Sequence, residues 1–141
     1  MSENKEPTPS WLFKQSAVIP YRKKSGVLEI LMITTRKSKR WIVPKGVVDP
    51  GCTPQESAIN EAYEEAGIKG KIVSDVLGSY SYDKWGGTCT VKVFLFKVDK
   101  VLDKWPESEE RKREWLPVKK AIERIRENKL KKIIQKTMKS L

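Results

Sequence analysis

The chain has no histidine and only two cysteines, Cys52 and Cys89, whose separation is far from a C-x-x-C pair. A zinc site built on His and Cys, or a histidine-based catalytic triad, therefore lacks its raw material. No apolar run approaches the roughly 18 residues of a membrane span. The opening MSENKEPTPSW also lacks the apolar core of a secretory leader. These absences point to a cytoplasmic protein with reduced thiols and no membrane partner. Cys89 opens an apolar alternation and reads as core, whereas Cys52 falls in a polar, glycine-containing loop.

Acidic residues are also outnumbered, 18 Asp and Glu against 29 Lys and Arg, for a net charge of +11. The excess is concentrated in residues 111–141, which hold 12 of the basic residues and 3 Glu. On amphipathic helices such charges ordinarily form the solvated face; an anion-rich partner such as RNA is the competing reading.

The 141 residues fit one domain with a real core and contain no internal repeat. Residues 1–10, polar and with two prolines, read as a flexible N-terminal arm, leaving 11–141 as the single domain. Lys14 to Tyr21 and Val27 to Thr34 are β-rich runs joined by the turn-like RKKSG. A short apolar piece, Trp41 to Val43, precedes Pro44, Lys45 and Gly46. Further strands are expected at Lys71 to Tyr82 and Thr88 to Val98, around a Gly86-Gly87 turn. Near the C-terminus, the step from Ile125 to Leu130 breaks helical phase and predicts two helices, with Asn128 as cap of the second. Strands, a helix, strands and terminal helices together imply an α+β or layered α/β arrangement.

What the chain does have is a crowd of carboxylates, Glu61, Glu64 and Glu65, on one predicted helix. Thr53, Pro54 and Glu56 carry a capping-box start with proline at the first helical position, and Gly67 is suited to the C-terminal stop. Helical phase puts Ala58, Ile59, Ala62, Tyr63 and Ala66 on one side and Ser57, Glu61, Glu64 and Glu65 on the other. Like charges three and four residues apart cost a few tenths of a kcal/mol per pair, so folding alone gives no reason for the cluster. A bound cation would supply one. Glu61 and Glu65 can present oxygens from successive turns, and hard oxygen ligands suit Mg²⁺ or Mn²⁺. An acidic, merely solvated helix face is the alternative.

From Gly46 to Ile68 the sequence resembles the Nudix hydrolase family, whose box reads G-x5-E-x7-R-E-U-x-E-E-x-G-U. Glu61, Glu64, Glu65, Gly67 and Ile68 fall at its E, E, E, G and U places, with Ala62 a small stand-in for the first U. The flanking TRKSKRWIVPKG and EEAGIKG, and WPESEERKREW from Trp105 to Trp115, are similar to the branch acting on diphosphoinositol and diadenosine polyphosphates. Two positions depart from the box: Cys52 replaces its first Glu and Asn60 its Arg. The family's Glu and Arg are expected to form a salt bridge, so that losing both ends together is nearly neutral where losing one is not.

The resemblance implies a layered α/β/α sandwich, a mixed sheet between helices, and a metal-dependent hydrolase of phosphoanhydride bonds. It implies a metal shell of Glu61, Glu65 and the Gly46 carbonyl, with Glu64 an outer ligand or alternative base. A further acid would come from Glu107, Glu109 or Glu110. Arg36, Lys37, Lys39, Arg40, Lys45, Arg111 and Arg113 are candidates for substrate phosphates, with Arg40, Lys45 and Arg111 favoured by the resemblance. Tyr80, Tyr82 and Trp85 are candidates for an aromatic shelf, unless they are packing residues. The expected substrate is a nucleoside diphosphate derivative, dinucleoside polyphosphate or inositol pyrophosphate. Pyrophosphate removal from an RNA 5′ end and a non-catalytic ligand sensor are the alternatives.

Overall fold

The computed structural model describes residues 8–141; most of the expected N-terminal arm, residues 1–7, lies outside them. Ser10–Phe13 form a 3-10 turn that leads into the first strand. Eight strands follow: β1 (Lys14–Lys24), β2 (Val27–Thr34), β3 (Trp41–Ile42), β4 (Lys45–Val47), β5 (Ile68–Ile72), β6 (Gly78–Lys84), β7 (Gly87–Val101) and β8 (Arg113–Pro117). Helix α1 (Pro54–Ala66) separates β4 from β5, and α2 (Val118–Arg124) and α3 (Asn128–Met138) end the chain.

The sheet is mixed. β1 and β7 run parallel at its centre, with β2 and β3 beyond β1 and β5 beyond β7. β4 pairs with β1, β6 with β7 and β8 with β2, all antiparallel. Alternate side chains of the central strands enter two cores, so β1 is buried almost continuously. Ala17, Ile19, Ile30, Met32, Val91 and Val93 meet Ala121, Ile125, Leu130, Ile134 and Met138 of the C-terminal helices and the turn between them. Val18, Leu31, Ile33, Phe94 and Phe96 meet Ala58, Ala62 and Ala66 of α1, where small side chains let the helix lie close to the sheet. Helices on both faces of one sheet make the expected three-layer α/β/α sandwich.

Several local expectations shift. The Lys71 to Tyr82 run splits into β5 and β6, and the RKREWLP segment supplies a strand, β8, that periodicity did not show. Asn128 is the first residue of α3 rather than its cap; Glu127 holds the cap position and makes no side-chain cap bond. The β6–β7 turn sits one residue earlier than expected, with Lys84 paired to Gly87 and Trp85-Gly86 at the tip.

Candidate active site

Local signals build α1 as its sequence suggested. The Thr53 hydroxyl accepts from the Glu56 backbone N–H at 3.1 Å, and the Glu56 carboxylate accepts from Thr53 N–H at 2.9 Å. Gly67 adopts φ 65° and closes the helix. The buried face, however, is rotated from the one apolar counting gives. Ile59 and Tyr63 are exposed, while Ser57 and Glu65 are buried beside the alanines.

Glu65 is turned inward because partners wait for it there. Its Oε1 accepts from the Lys45 backbone N–H at 3.0 Å, and its Oε2 from Arg111 Nη2 at 3.0 Å. Arg111 is itself 8% exposed, and donates further to the Thr34 carbonyl at 2.9 Å and to Glu107 Oε1 at 2.8 Å. Arg111 lines the cavity over Gly46, and its guanidinium fixes two carboxylates there. Glu61 lies over Gly46, where an added Cβ would collide with the Glu61 carboxyl group. Glycine at 46 is what lets that carboxyl group rest against β4.

Glu107 is the acid of the second loop that the structure ties to the site. Its backbone N–H donates to the Glu64 carbonyl at 3.1 Å, and its carboxylate also faces Arg36 at 3.3 Å. Glu110 faces Arg36 at 3.4 Å, while Glu64 and Glu109 are exposed.

The pair Glu61 and Glu65 is short of positive charge. Burial, reinforced by Glu65, Glu64, Glu107 and Asp49, pushes the Glu61 carboxyl up to about 8. Burial also raises Glu65, to about 7, against the opposing pull of Arg111 and the Lys45 N–H. Among the described residues no three acidic or cysteine side chains converge on one point. Two carboxylates nevertheless suffice for a hard divalent cation that keeps waters and substrate oxygens as its remaining ligands. The residues present therefore fit such a cation.

A cavity of about 540 Å³ opens over Glu65 and Gly46. Its walls include Arg36, Lys37, Lys45 and Lys84, a cationic arc suited to phosphates. Lys45 Nζ donates to the Tyr82 hydroxyl at 2.9 Å, which donates to Gln15 Oε1 at 2.7 Å. Burial lowers the Lys45 pKa from its ordinary value. Gln15 and Lys84 were invisible as site residues in the sequence, since only strand pairing brings them to the cavity.

Other candidates lie elsewhere. Arg40 faces Glu127, its Nη1 3.7 Å from the carboxylate, in a crevice with Trp41, Tyr80 and Ile125 that shares Ile42 and Lys45 with the Glu65 cavity. Glu127, at the cap position of α3, is the acid that faces it. Lys39 donates to the Glu110 carbonyl at 3.1 Å. Arg113 donates to the Ala66, Gly67 and Leu102 carbonyls and stacks 3.9 Å from the Trp105 ring centroid, capping α1. Tyr80 is buried core, and of the three aromatic candidates only Trp85 is strongly exposed. Cys52 and Cys89 are free thiols, the second buried.

Residues 13–137 match the NUDIX domain. Nudix hydrolase 12, mitochondrial, of Arabidopsis thaliana is 36% identical over 132 residues, covering 79% of this chain and 65% of the relative. Diphosphoinositol polyphosphate phosphohydrolase 3-alpha of Mus musculus is 34% identical over 116 residues, covering 81% of this chain and 70% of that protein. A crystal structure of a C. elegans Ap4A hydrolase binary complex superposes with a TM-score of 0.77 at 28% identity, over 89% of this chain and 94% of that one. The chain spans 65%, 59% and 54% of the length of three plant relatives.

Proposed function

The chain belongs to the Nudix family, and we propose that it is a divalent-metal-dependent hydrolase of phosphoanhydride bonds in small polyphosphates. The observation carrying this reading is the charge-deficient pair of half-buried Glu61 and buried Glu65, set beside a cavity walled by Arg36, Lys37, Lys45 and Lys84. A nucleotide or inositol group bearing the phosphates is consistent with the relatives, one of which is named for diphosphoinositol polyphosphates and another for Ap4A.

In this reading Glu61 and Glu65 hold the metal, Mg²⁺ or Mn²⁺, with the Gly46 carbonyl as a further ligand. When bound, the metal neutralises phosphate oxygens and lowers the pKa of an attacking water. The chain's own residues do the rest. Arg111 and the Lys45 N–H keep Glu65 in one orientation, so its oxygens need little reorganisation during reaction. Lys45 and the cationic wall orient the phosphates, and Lys45 acts as a point charge anchored by Tyr82. Glu64, exposed on the same turn, is available to accept the water's proton.

The test is product analysis on diadenosine tetraphosphate, nucleotide sugars, an inositol pyrophosphate and triphosphorylated RNA, each with Mg²⁺ and with Mn²⁺. Cleavage of a small polyphosphate that falls at least about a hundredfold in folded Glu65→Gln and Glu61→Gln supports the reading. Saturable binding without turnover would identify a ligand-binding protein instead, and turnover restricted to RNA would identify an end-processing enzyme.

A further inference from the structure

Two hydroxyls are enclosed between α1 and the sheet with no hydrogen-bond partner among the described residues, those of Ser16 and Ser57. Ser16 is fully buried and Ser57 is 3% exposed. A hydroxyl taken out of water without a partner is costly, and alanine, which is similar in size, would avoid that cost. Elsewhere the same interface is apolar, since α1 meets the sheet through Ala58, Ala62 and Ala66. A serine within a helix commonly bonds the carbonyl four residues back. Here the Thr53 carbonyl accepts from the Ser57 backbone N–H at 3.1 Å, and the Ser57 hydroxyl makes no such bond.

Both hydroxyls flank Glu61. Side chains on a helix lean toward its N-terminus, so the Glu61 side chain lies over the turn that carries Ser57, four residues earlier. Ser16 approaches from the sheet. It is the register partner of Gly46, and it shares its face of β1 with Val18, which packs on α1. Directly opposed residues have Cβ atoms roughly 5 Å apart, and a Cβ on Gly46 would collide with the Glu61 carboxyl group. That carboxyl group therefore rests within a side chain's reach of Ser16. Its surroundings call for donors: the charged neighbours of Glu61 are acids, Glu65, Glu64, Glu107 and Asp49, whereas Glu65 accepts from the Lys45 N–H and from Arg111.

We propose that Ser57, assisted by Ser16, is a positioning residue for Glu61, its hydroxyl donating to the carboxylate oxygen that Glu61 does not give to a divalent cation. This rests on the proposed metal-holding role of Glu61. A carboxylate bound to a cation through one oxygen keeps acceptor capacity on the other, and a donor to that oxygen fixes the ligand's orientation. Two hydroxyls that cost the fold stability thereby act in ligand binding.

Mn²⁺ titration of the full chain, with free Mn²⁺ read by electron paramagnetic resonance, is paired with urea unfolding in EDTA. Ser57→Ala should weaken Mn²⁺ binding at least about tenfold, the usual scale for removing a group that orients a metal ligand, and Ser16→Ala should weaken it by a smaller factor. Neither should lower the unfolding midpoint in EDTA, because each removes a buried hydroxyl without a partner. Unchanged Mn²⁺ affinity in Ser57→Ala overturns the proposal, and in Ser16→Ala it removes Ser16 from it. A lowered midpoint in EDTA for Ser57→Ala also overturns it, since the hydroxyl would then serve the fold alone. A wild-type chain that binds no Mn²⁺ would sink the metal-holding reading of Glu61 and the positioning with it. Mn²⁺ binding that depends on Ser57, in a chain that hydrolyses nothing, would sink the hydrolase reading alone.

Discussion

Arg111 Nη2 donates to Glu65 Oε2 at 3.0 Å, and both side chains are almost entirely withdrawn from water. Desolvating two ions is costly, and the pair persists because each has further partners: Lys45 N–H for Glu65, Thr34 O and Glu107 for Arg111. The Arg111 guanidinium is thereby shared among three protein acceptors.

Removing one end should therefore be worse than removing both. Arg111→Met leaves Glu65 buried with its main counter-charge gone, and should cost about 3–5 kcal/mol in urea unfolding. Adding Glu65→Gln to that variant should recover at least about 1 kcal/mol relative to the sum of the single effects. Additive losses would mean that the two side chains do not stabilise each other.

Gly46→Ala separates the site from the fold. The new methyl would strike the end of the Glu61 side chain, which can swing away, and so metal affinity should fall at least about tenfold. Since the obstacle is the tip of a flexible side chain on a partly exposed residue, stability should change by less than about 1 kcal/mol, within the range of surface substitutions with small local adjustment. Mn²⁺ titration and urea denaturation measure the two effects. A large stability loss with unchanged metal affinity would contradict this placement of Glu61.

Without metal, stability should fall as pH rises. Glu61 and Glu65 hold protons more tightly in the folded chain than at their ordinary value of 4.5, with folded values of about 8 and about 7. The stabilisation from those protons is complete below pH 4.5 and is lost as pH climbs through 7 and 8. Unfolding midpoints from pH 5 to pH 9 in EDTA should show this decline, and Glu61→Gln should flatten it. Excess Mg²⁺ should lift the midpoint most at the alkaline end, where the ligands are ionised. A metal effect independent of pH would argue against carboxylate ligation.

Helix α1 was legible because its signals are local: Thr53, Glu56 and Gly67 each act within a turn of their own position. Its rotation was not legible. Counting apolar residues buries Ile59 and Tyr63, whereas the helix instead buries Glu65, whose partners lie 20 and 46 residues away. The same limit explains Arg40 and Arg111. Both read as candidates for substrate phosphates, and the acids that face them come near only through chain folding, Glu127 for one and Glu65 for the other. β8 went unseen because five residues with one buried leucine give little alternation; its pairing with β2 defines it. Cys89, in contrast, belongs to an apolar alternation of β7 and is core as read.

The paired departures at Cys52 and Asn60 bear on how much support the carboxylates have. Their joint loss was expected to erase a buried bridge, but Asn60 is exposed and Cys52 only partly covered. A bridge restored there would be a solvent-facing one, worth about 0.2–1 kcal/mol rather than several. Asn60→Arg alone should already stabilise the chain slightly, because position 60 lies four residues before exposed Glu64 on the same helix. Cys52→Glu alone adds a carboxylate near Asp49 and should destabilise. The double variant measured in a urea cycle should show coupling within the surface range, and strict additivity would mean that the two replacements are unrelated. Coupling above about 3 kcal/mol would instead show α1 and its preceding loop closing around the pair. Since Arg111 already orients Glu65 from the opposite side, the restored bridge should change turnover less than Arg111→Met does, a ranking that steady-state kinetics on the same set of variants can read directly.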